Sequence, residues 1–297
     1  MPLTVPSPVG AAAILVREEV NAGVFEADIS SLYDAFPHTI VDARFPYQER
    51  EVHEARGPMS RNLQGQELLS IRYPFSVNFE LYDPTFVDKM IFDDAIGDMR
   101  STSWAFNQGP TAANPLLATA IWGAKCDRWT LSAAEHEVIR INSDWIGMHA
   151  DTINPFTWTP PTGRRPFTWA GGTFDVNGTS GDLIGIDMEV RNNLSEHYPM
   201  EGTISDYPFD PKYLISQAIE YNLDLRMLTD FELDWPFVNS AEVILAFQSP
   251  VIGPTSTIQF TLSGGTFRNQ EVDFPSRNLV GYRVPMVFES IAWQYTY

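Results

Sequence analysis

The sequence predicts a mainly β protein of short turns and alternating strands, and four observations carry that reading. In "SIRYPFSVNFELYDP", Ile71, Tyr73, Phe75, Val77, Phe79 and Leu81 alternate with Arg72, Pro74, Ser76, Asn78 and Glu80, the period-two signature of a half-buried strand. The same alternation returns in "IGIDMEVR", where Ile184, Ile186, Met188 and Val190 alternate with Gly185, Asp187, Glu189 and Arg191. It returns again in "SQAIEYNLDLRML", where Ile219, Tyr221, Leu223 and Leu225 oppose Glu220, Asn222, Asp224 and Arg226. Finally, 22 prolines and 19 glycines punctuate the 297 residues too often for long helices.

Taken in order, residues 1–30 read as an N-terminal arm. "MPLTVPSPVG" is proline-rich and extended, and "AAAILVREEV" fits a short helix or a strand. A first β domain is expected over 31–150. Pro74 inside its best strand implies an edge or a bulge, because proline cannot donate to the ladder. In "DPTFVDKMIFDDAIG", Asp83 can cap, Pro84 suits a first turn, and Phe86, Met90 and Ile91 share a helical face, so a short helix ending near Gly97 is expected. Residues 99–124 lack a clear period and read as a long loop, which in a compact domain is usually functional or disordered. "DRWTLSAAEHEVIRINSDWIG" reads as a hairpin turning at "SAAE", with Trp129 and Leu131 on one strand and Ile139, Ile141 and Trp145 on the next. Residues 151–166, rich in Pro and Thr, form the expected linker. A second β domain over 167–297 opens as strand, turn, strand about Asn177-Gly178. It closes with "TIQFTLSGG" and "LVGYRVPMVFESIAW". Two short correspondences, "GPMS" at Gly57 with "YPME" at Tyr198 and "WTLSAA" at Trp129 with "FTLSGG" at Phe260, raise an internal duplication.

Charge and motif content narrow the function. A net charge of −19 argues against a phosphate-neutralising groove. Lysine occurs only at Lys89, Lys125 and Lys212, a composition that fits a saline cytoplasm or a surface that must not hold DNA. The single cysteine, Cys126, excludes an intramolecular disulfide framework. Its neighbours Lys125 and Arg128 are not enough to make it a nucleophile, and packing is the expected role. No segment reads as a membrane span. There is no phosphate-binding loop, dinucleotide fingerprint or G-x-S-x-G elbow. The histidines (His38, His53, His136, His149, His197) are scattered, and Glu135 and Glu137 would face away from His136 on a strand. "DVNGTSGD" at Asp175–Asp182 resembles a calcium loop but has Ile186 where the closing acid belongs. No catalytic residue, cofactor site or metal site is therefore expected, and the tryptophans are assigned chiefly to core.

The segments "KCDRWTLSAAEHEVIRINSDWIG", "LIGIDMEVRNNLSEHYPMEG", "LISQAIEYNLDLRML", "AEVILAF", "IQFTLSGGTF" and "LVGYRVPMVFESIAW" together resemble tail tube proteins (major tail proteins) of long-tailed bacterial and archaeal viruses. The Arg191-Asn192-Asn193-Leu194 run after an alternating strand is the most telling piece, and the resemblance extends over roughly residues 41–297. It implies two tail-tube-type β-sandwich or half-barrel domains with short flanking helices, duplicated within one chain and assembling into stacked rings. The implied function is structural: a virion protein forming the hollow tail tube that conducts viral DNA, located in the virion tail after assembly in the host cytoplasm. Its implied partners are itself, as homotrimeric rings with hexameric rings as the alternative, the other tail proteins at the tube ends, and tape-measure protein and DNA passing the lumen without tight binding. No enzyme activity, cofactor or membrane is implied. Asp187, Glu189, Glu220 and Asp224 are the candidate lumen-facing residues, and Trp104, Phe106, Leu116 and Leu117 the candidate inter-ring contacts. The alternatives are another tail ring, distal tail or terminator, or a carbohydrate-binding β-sandwich using Trp158 and Trp169.

Overall fold

The computed structural model describes residues 13–19, 34–44, 48–56, 63–108, 117–156, 165–180, 183–198, 210–229, 240–249, 256–267, 271–276 and 279–296. Its first half contains β1 (Ala13–Glu18), β2 (Asp34–Ala35), β3 (Thr39–Arg44), β4 (Glu49–Arg56), β5 (Leu63–Glu80), β6 (Phe92–Asp93), β7 (Asp98–Met99), β8 (Thr102–Gln108), β9 (Leu117–Ala134), β10 (Arg140–Gly147) and β11 (His149–Ile153). The second half contains β12 (Thr168–Val176), β13 (Thr179–Ser180), β14 (Leu183–Arg191), β15 (Leu194–His197), β16 (Tyr213–Ser216), β17 (Glu220–Thr229), β18 (Ala241–Gln248), β19 (Thr257–Phe267), β20 (Glu271–Ser276), β21 (Leu279–Phe288) and β22 (Ser290–Thr296).

One antiparallel sheet runs through both halves in the order β3–β5–β10–β9–β14–β17–β21–β20. Each half adds its own second layer. In the first this is β2–β1–β8–β9–β11, and in the second β13–β12–β18–β19–β22. The alternation read from the sequence sets which face is buried. Phe75, Val77 and Phe79 of β5, Met188 and Val190 of β14, and Leu223 and Leu225 of β17 are all buried, at 3% exposed or less. Between the layers of the first half, the rings of Trp104 and Trp145 lie 4.9 Å apart and those of Phe75 and Trp104 5.3 Å apart, edge-on contacts that each add about 0.5–1.5 kcal/mol beyond area burial.

A strand can serve both layers only if it bends. β9 does so at Gly123 (φ 67°): up to Ala124 it pairs with β8 and β11, and from Lys125 onward with β10, its final residues also lying against β14. β19 does the same at Gly264 (φ 73°), after which Thr266 and Phe267 pair with β21 and β20 continues alongside it. Left-handed backbone of this kind is what glycine permits without steric cost.

The pairings of the first half recur in the second. β1–β8, β3–β5, β5–β10, β8–β9, β9–β10 and β9–β11 are matched by β12–β18, β14–β17, β17–β21, β18–β19, β19–β21 and β19–β22. The irregularities recur too. A register shift at Ile40/Asp42 has its counterpart at Leu183/Gly185, and one at Thr102/Trp104 its counterpart at Ala241/Val243. Trp122 opposes His149 as Ser263 opposes Ser290. These registers put "FTLSGG" level with residues 119–124, not with "WTLSAA", so that sequence correspondence is out of step by ten positions. "GPMS" and "YPME" begin in matching places, after β4 and after β15, although residues 57–60 and 199–201 lie outside the described residues.

Several expectations are corrected. Residues 13–18 are not an arm but a strand whose Ile14 and Val16 are 0% and 4% exposed; residues 1–12 and 20–33 lie outside the described residues. The expected loop over 99–124 contains β8 and the start of β9. It had no visible period because residues 101–107 are all buried, and a strand covered on both faces does not alternate. The expected helix is a six-residue 3₁₀ helix, Pro84–Lys89, with Asp83 capping it by accepting from the Thr85 N–H. The expected linker starts late, since β11 runs to Ile153; residues 157–164 lie outside the described residues. Pro74 sits where β5 passes from β4, paired up to Arg72, to β3, paired from Ser76, so one side of the strand lacks a ladder partner there among the described residues.

Candidate functional site: the polar face of the shared sheet

Because side chains alternate along each strand, the outward positions of the shared sheet form one continuous face. Register places Glu80, Arg140, Ser132, Asp187 and Asp224 in one row across β5, β10, β9, β14 and β17. A second row holds Asp42, Asn78, Asn142, Thr130, Glu189 and Asn222, and a third Arg44, Ser76, Asp144, Arg128, Arg191 and Glu220. The expected residues Asp187, Glu189, Glu220 and Asp224 are thus brought together on a single face, where they line a broad shallow depression with Arg128, Arg191 and Asn222.

The face is not acidic, although its four candidate residues are all acids, because arginines lie among them. Directly opposed positions often carry like charge, as in Arg128 with Arg191 and Asp187 with Asp224, an arrangement that repels when left alone. Diagonal ion pairs resolve it. Arg226 bridges Asp187, Arg283 Nη2 lies 2.5 Å from Asp224, and Arg128 Nε lies 2.5 Å from Glu189. Arg191 reaches Glu189 at 3.1 Å and Glu220 at 3.9 Å, and its hydrogen bond to Glu189 raises the guanidinium pKa further. Partly exposed pairs of this sort contribute only about 0–1 kcal/mol each to stability. Their effect is on the field: carboxylates and guanidiniums alternate, and the excess negative charge of the chain lies elsewhere. Among neighbouring groups, burial raises the Asp144 carboxyl above its ordinary value of 3.8.

The seam between the halves has two parts. One is the ladder from Gly185 opposite Ala134 to Arg191 opposite Arg128. The other is the β15–β16 hairpin of the second half, which closes over the first. Leu214 packs with Ile146 and Met148, Lys125 Nζ donates to the Leu214 carbonyl at 2.8 Å and to Asp98 at 2.7 Å, and buried His149 lies 2.8 Å from Asp210. The Arg191-Asn192-Asn193-Leu194 run is the pivot between these parts. Asn192 is fully buried, and its Nδ2 donates to the carbonyls of Cys126 (2.8 Å) and Met90 (3.0 Å). Asn193 adopts φ 47°, and the Leu194 N–H donates to Asp127 at 2.8 Å. Sequence reading singled out this run without seeing that it joins the halves; the signal was paired asparagines at the end of a strand, which favour left-handed backbone and side-chain-to-backbone bonds.

The remaining candidates separate. Trp104 and Phe106 are fully buried and belong to the core of the chain, which corrects their assignment to contacts between rings. Leu116 lies outside the described residues, and of Leu117 the backbone is described, paired with Gln108. Trp169 packs against the core and Trp158 lies outside the described residues. Cys126 is fully buried, and burial pushes its thiol well above the ordinary value. Asn177 (φ 50°) and Gly178 (φ 80°) form the expected turn. Among the described residues no three of His, Cys, Asp and Glu are grouped to hold a metal ion, and no helix is long and apolar enough to cross a membrane. No protein-family model and no curated protein matches the chain.

Proposed function

We propose that this chain is a structural virion protein, the tail tube protein of a long-tailed virus, and that its two halves are duplicated tail-tube domains joined into three-subunit rings that stack around the DNA path. One observation carries this reading. The shared sheet joins its two halves edge to edge through β14 and β9, and among the described residues it ends in β3 and β20, whose positions in their own halves match those of β14 and β9. A sheet built this way repeats head to tail, and a head-to-tail contact whose rotation closes makes a ring.

Eight strands per copy set the scale. With strands about 4.8 Å apart and tilted about 40°, three copies closing a barrel hold the backbone roughly 24 Å from the axis, and two copies roughly 16 Å. Barrels of 16–18 strands already enclose water, so a three-copy ring has a wide bore. The polar face then becomes the bore wall. Its alternating ion pairs present neither the cationic stripe that would hold phosphates nor a strong repulsive field. At about 1 M salt, where charges are screened within about 3 Å, the local balance of charge matters more than the chain's total.

Electron microscopy of the purified chain tests the proposal. Long hollow polymers with three-fold cross-sections are expected. Isolated rings that never polymerise would favour a distal tail or terminator ring, and a monomer at every concentration would refute the reading.

A further inference from the structure

From the repeated registers we infer that copies join by pairing β3 of one with β20 of the next, in the register of the internal β14–β9 seam, while the β4–β5 hairpin of the incoming copy covers the end of β21 and the start of β22. The partner is thus a second copy of this chain, and the inference rests on the ring reading above.

The seam supplies the register. Asp42 and Gly185 follow the same register shift, and Arg44 lies opposite Ser76 as Asp187 lies opposite Asp224. On the other side, Phe274 opposes Gly281 as Ser132 opposes Arg140. In the seam Gly185 meets Ala134, Ile186 meets Ala133 and Asp187 meets Ser132. Carried over, Asp42 meets Ser276, Ala43 meets Pro275 and Arg44 meets Phe274 of the neighbouring copy. Each of β3 and β20 has a ladder on one side alone among the described residues. Free edges invite pairing, and β-augmentation is the mode that uses them.

The hairpin supplies a second, independent match. In the first half Lys125, Ile146, Met148 and His149 are at most 8% exposed, and Leu214 of the β15–β16 hairpin packs on Ile146 and Met148. The positions level with them in the second half, Thr266, Val287, Glu289 and Ser290, are exposed or half-buried. The β4–β5 hairpin occupies the place in the first half that β15–β16 occupies in the second, between β3 and the shared-sheet part of β5, and β4 pairs with β5 alone among the described residues.

The test uses the full chain with Asp42→Cys and Ser276→Cys together, oxidised after assembly, with Asp42→Cys and Glu271→Cys as the out-of-register control; buried Cys126 stays in place. The first pair is expected to give covalent multimers ending at a closed trimer on a non-reducing gel. The control, displaced by about 17 Å along the strand, is expected to give none. Hydrogen exchange on the unaltered chain is the companion measurement, with protection expected at 42–44 and 271–276 on assembly. Rings or tubes that form without the in-register cross-link and without that protection overturn this interface and leave the ring reading standing. A chain that stays monomeric overturns both.

Discussion

Gly123 and Gly264 occupy matching bends, yet replacing them with alanine should have different costs. Both have left-handed φ, 67° and 73°, which penalises any non-glycine residue by about 1–2 kcal/mol. The second contribution differs. A Cβ on Gly123 would lie 2.7 Å from Met148 Sδ and 2.8 Å from Met148 Cβ. Met148 is 7% exposed, held under the β15–β16 hairpin, and its Cβ cannot be rotated away, so overpacking adds about 1–3 kcal/mol. A Cβ on Gly264 would meet Cγ, Cδ and Oε2 of Glu289 at 2.8 Å, the far end of an exposed side chain that can swing into water. Gly123→Ala should therefore destabilise by about 2–5 kcal/mol and Gly264→Ala by about 1–2 kcal/mol. Urea unfolding followed by tryptophan fluorescence reads both, and repeating it at two protein concentrations separates folding from assembly. A Gly264→Ala variant as unstable as Gly123→Ala, or a neutral Gly123→Ala, would refute the reasoning.

Three further outcomes are expected. Asn192→Ala strips hydrogen bonds from the buried region around the Met90 and Cys126 carbonyls; at about 1–3 kcal/mol for each carbonyl left unpaired, urea midpoints should fall clearly, whereas an unchanged midpoint would show that the seam does not depend on this side chain. Asp144→Asn should change the pH profile: the native carboxyl has a raised pKa, so its contribution is fully present below the unfolded value and is lost as pH rises through the folded one. The variant should accordingly gain on the parent as pH rises above about 4, the unfolded value, measured as the difference in unfolding midpoint; a constant difference counts against it. Replacing Asp187 and Glu189 together by Lys removes the ion pairs to Arg226, Arg128 and Arg191, at about 0–1 kcal/mol each, and sets new cations beside those arginines, so stability should fall. The face becomes cationic, so assembled protein should retain duplex DNA at low salt and release it as salt rises, where the parent retains none; equal retention by both would contradict the charge-balance argument.

The amino-acid order alone determined the mainly β class, the faces of β5, β14 and β17, the Asn177-Gly178 turn and the common side of Asp187 with Glu189 and of Glu220 with Asp224, because period-two alternation is a local property of an extended chain with one wet face; the pairing of β14 with β17 then put all four on one face. It could not reveal β8, whose burial on both sides removes the alternation, and it left residues 13–18 open between helix and strand, because their partner β8 lies far away along the chain. Tertiary structure decided the charge of the polar face, since the arginines that neutralise its acids come from four strands, β9, β14, β17 and β21. It also decided that the halves share one sheet and repeat each other's register shifts. Those facts depend on backbone pairing, which almost any side chains can satisfy, and so they leave little trace in the identity of individual residues.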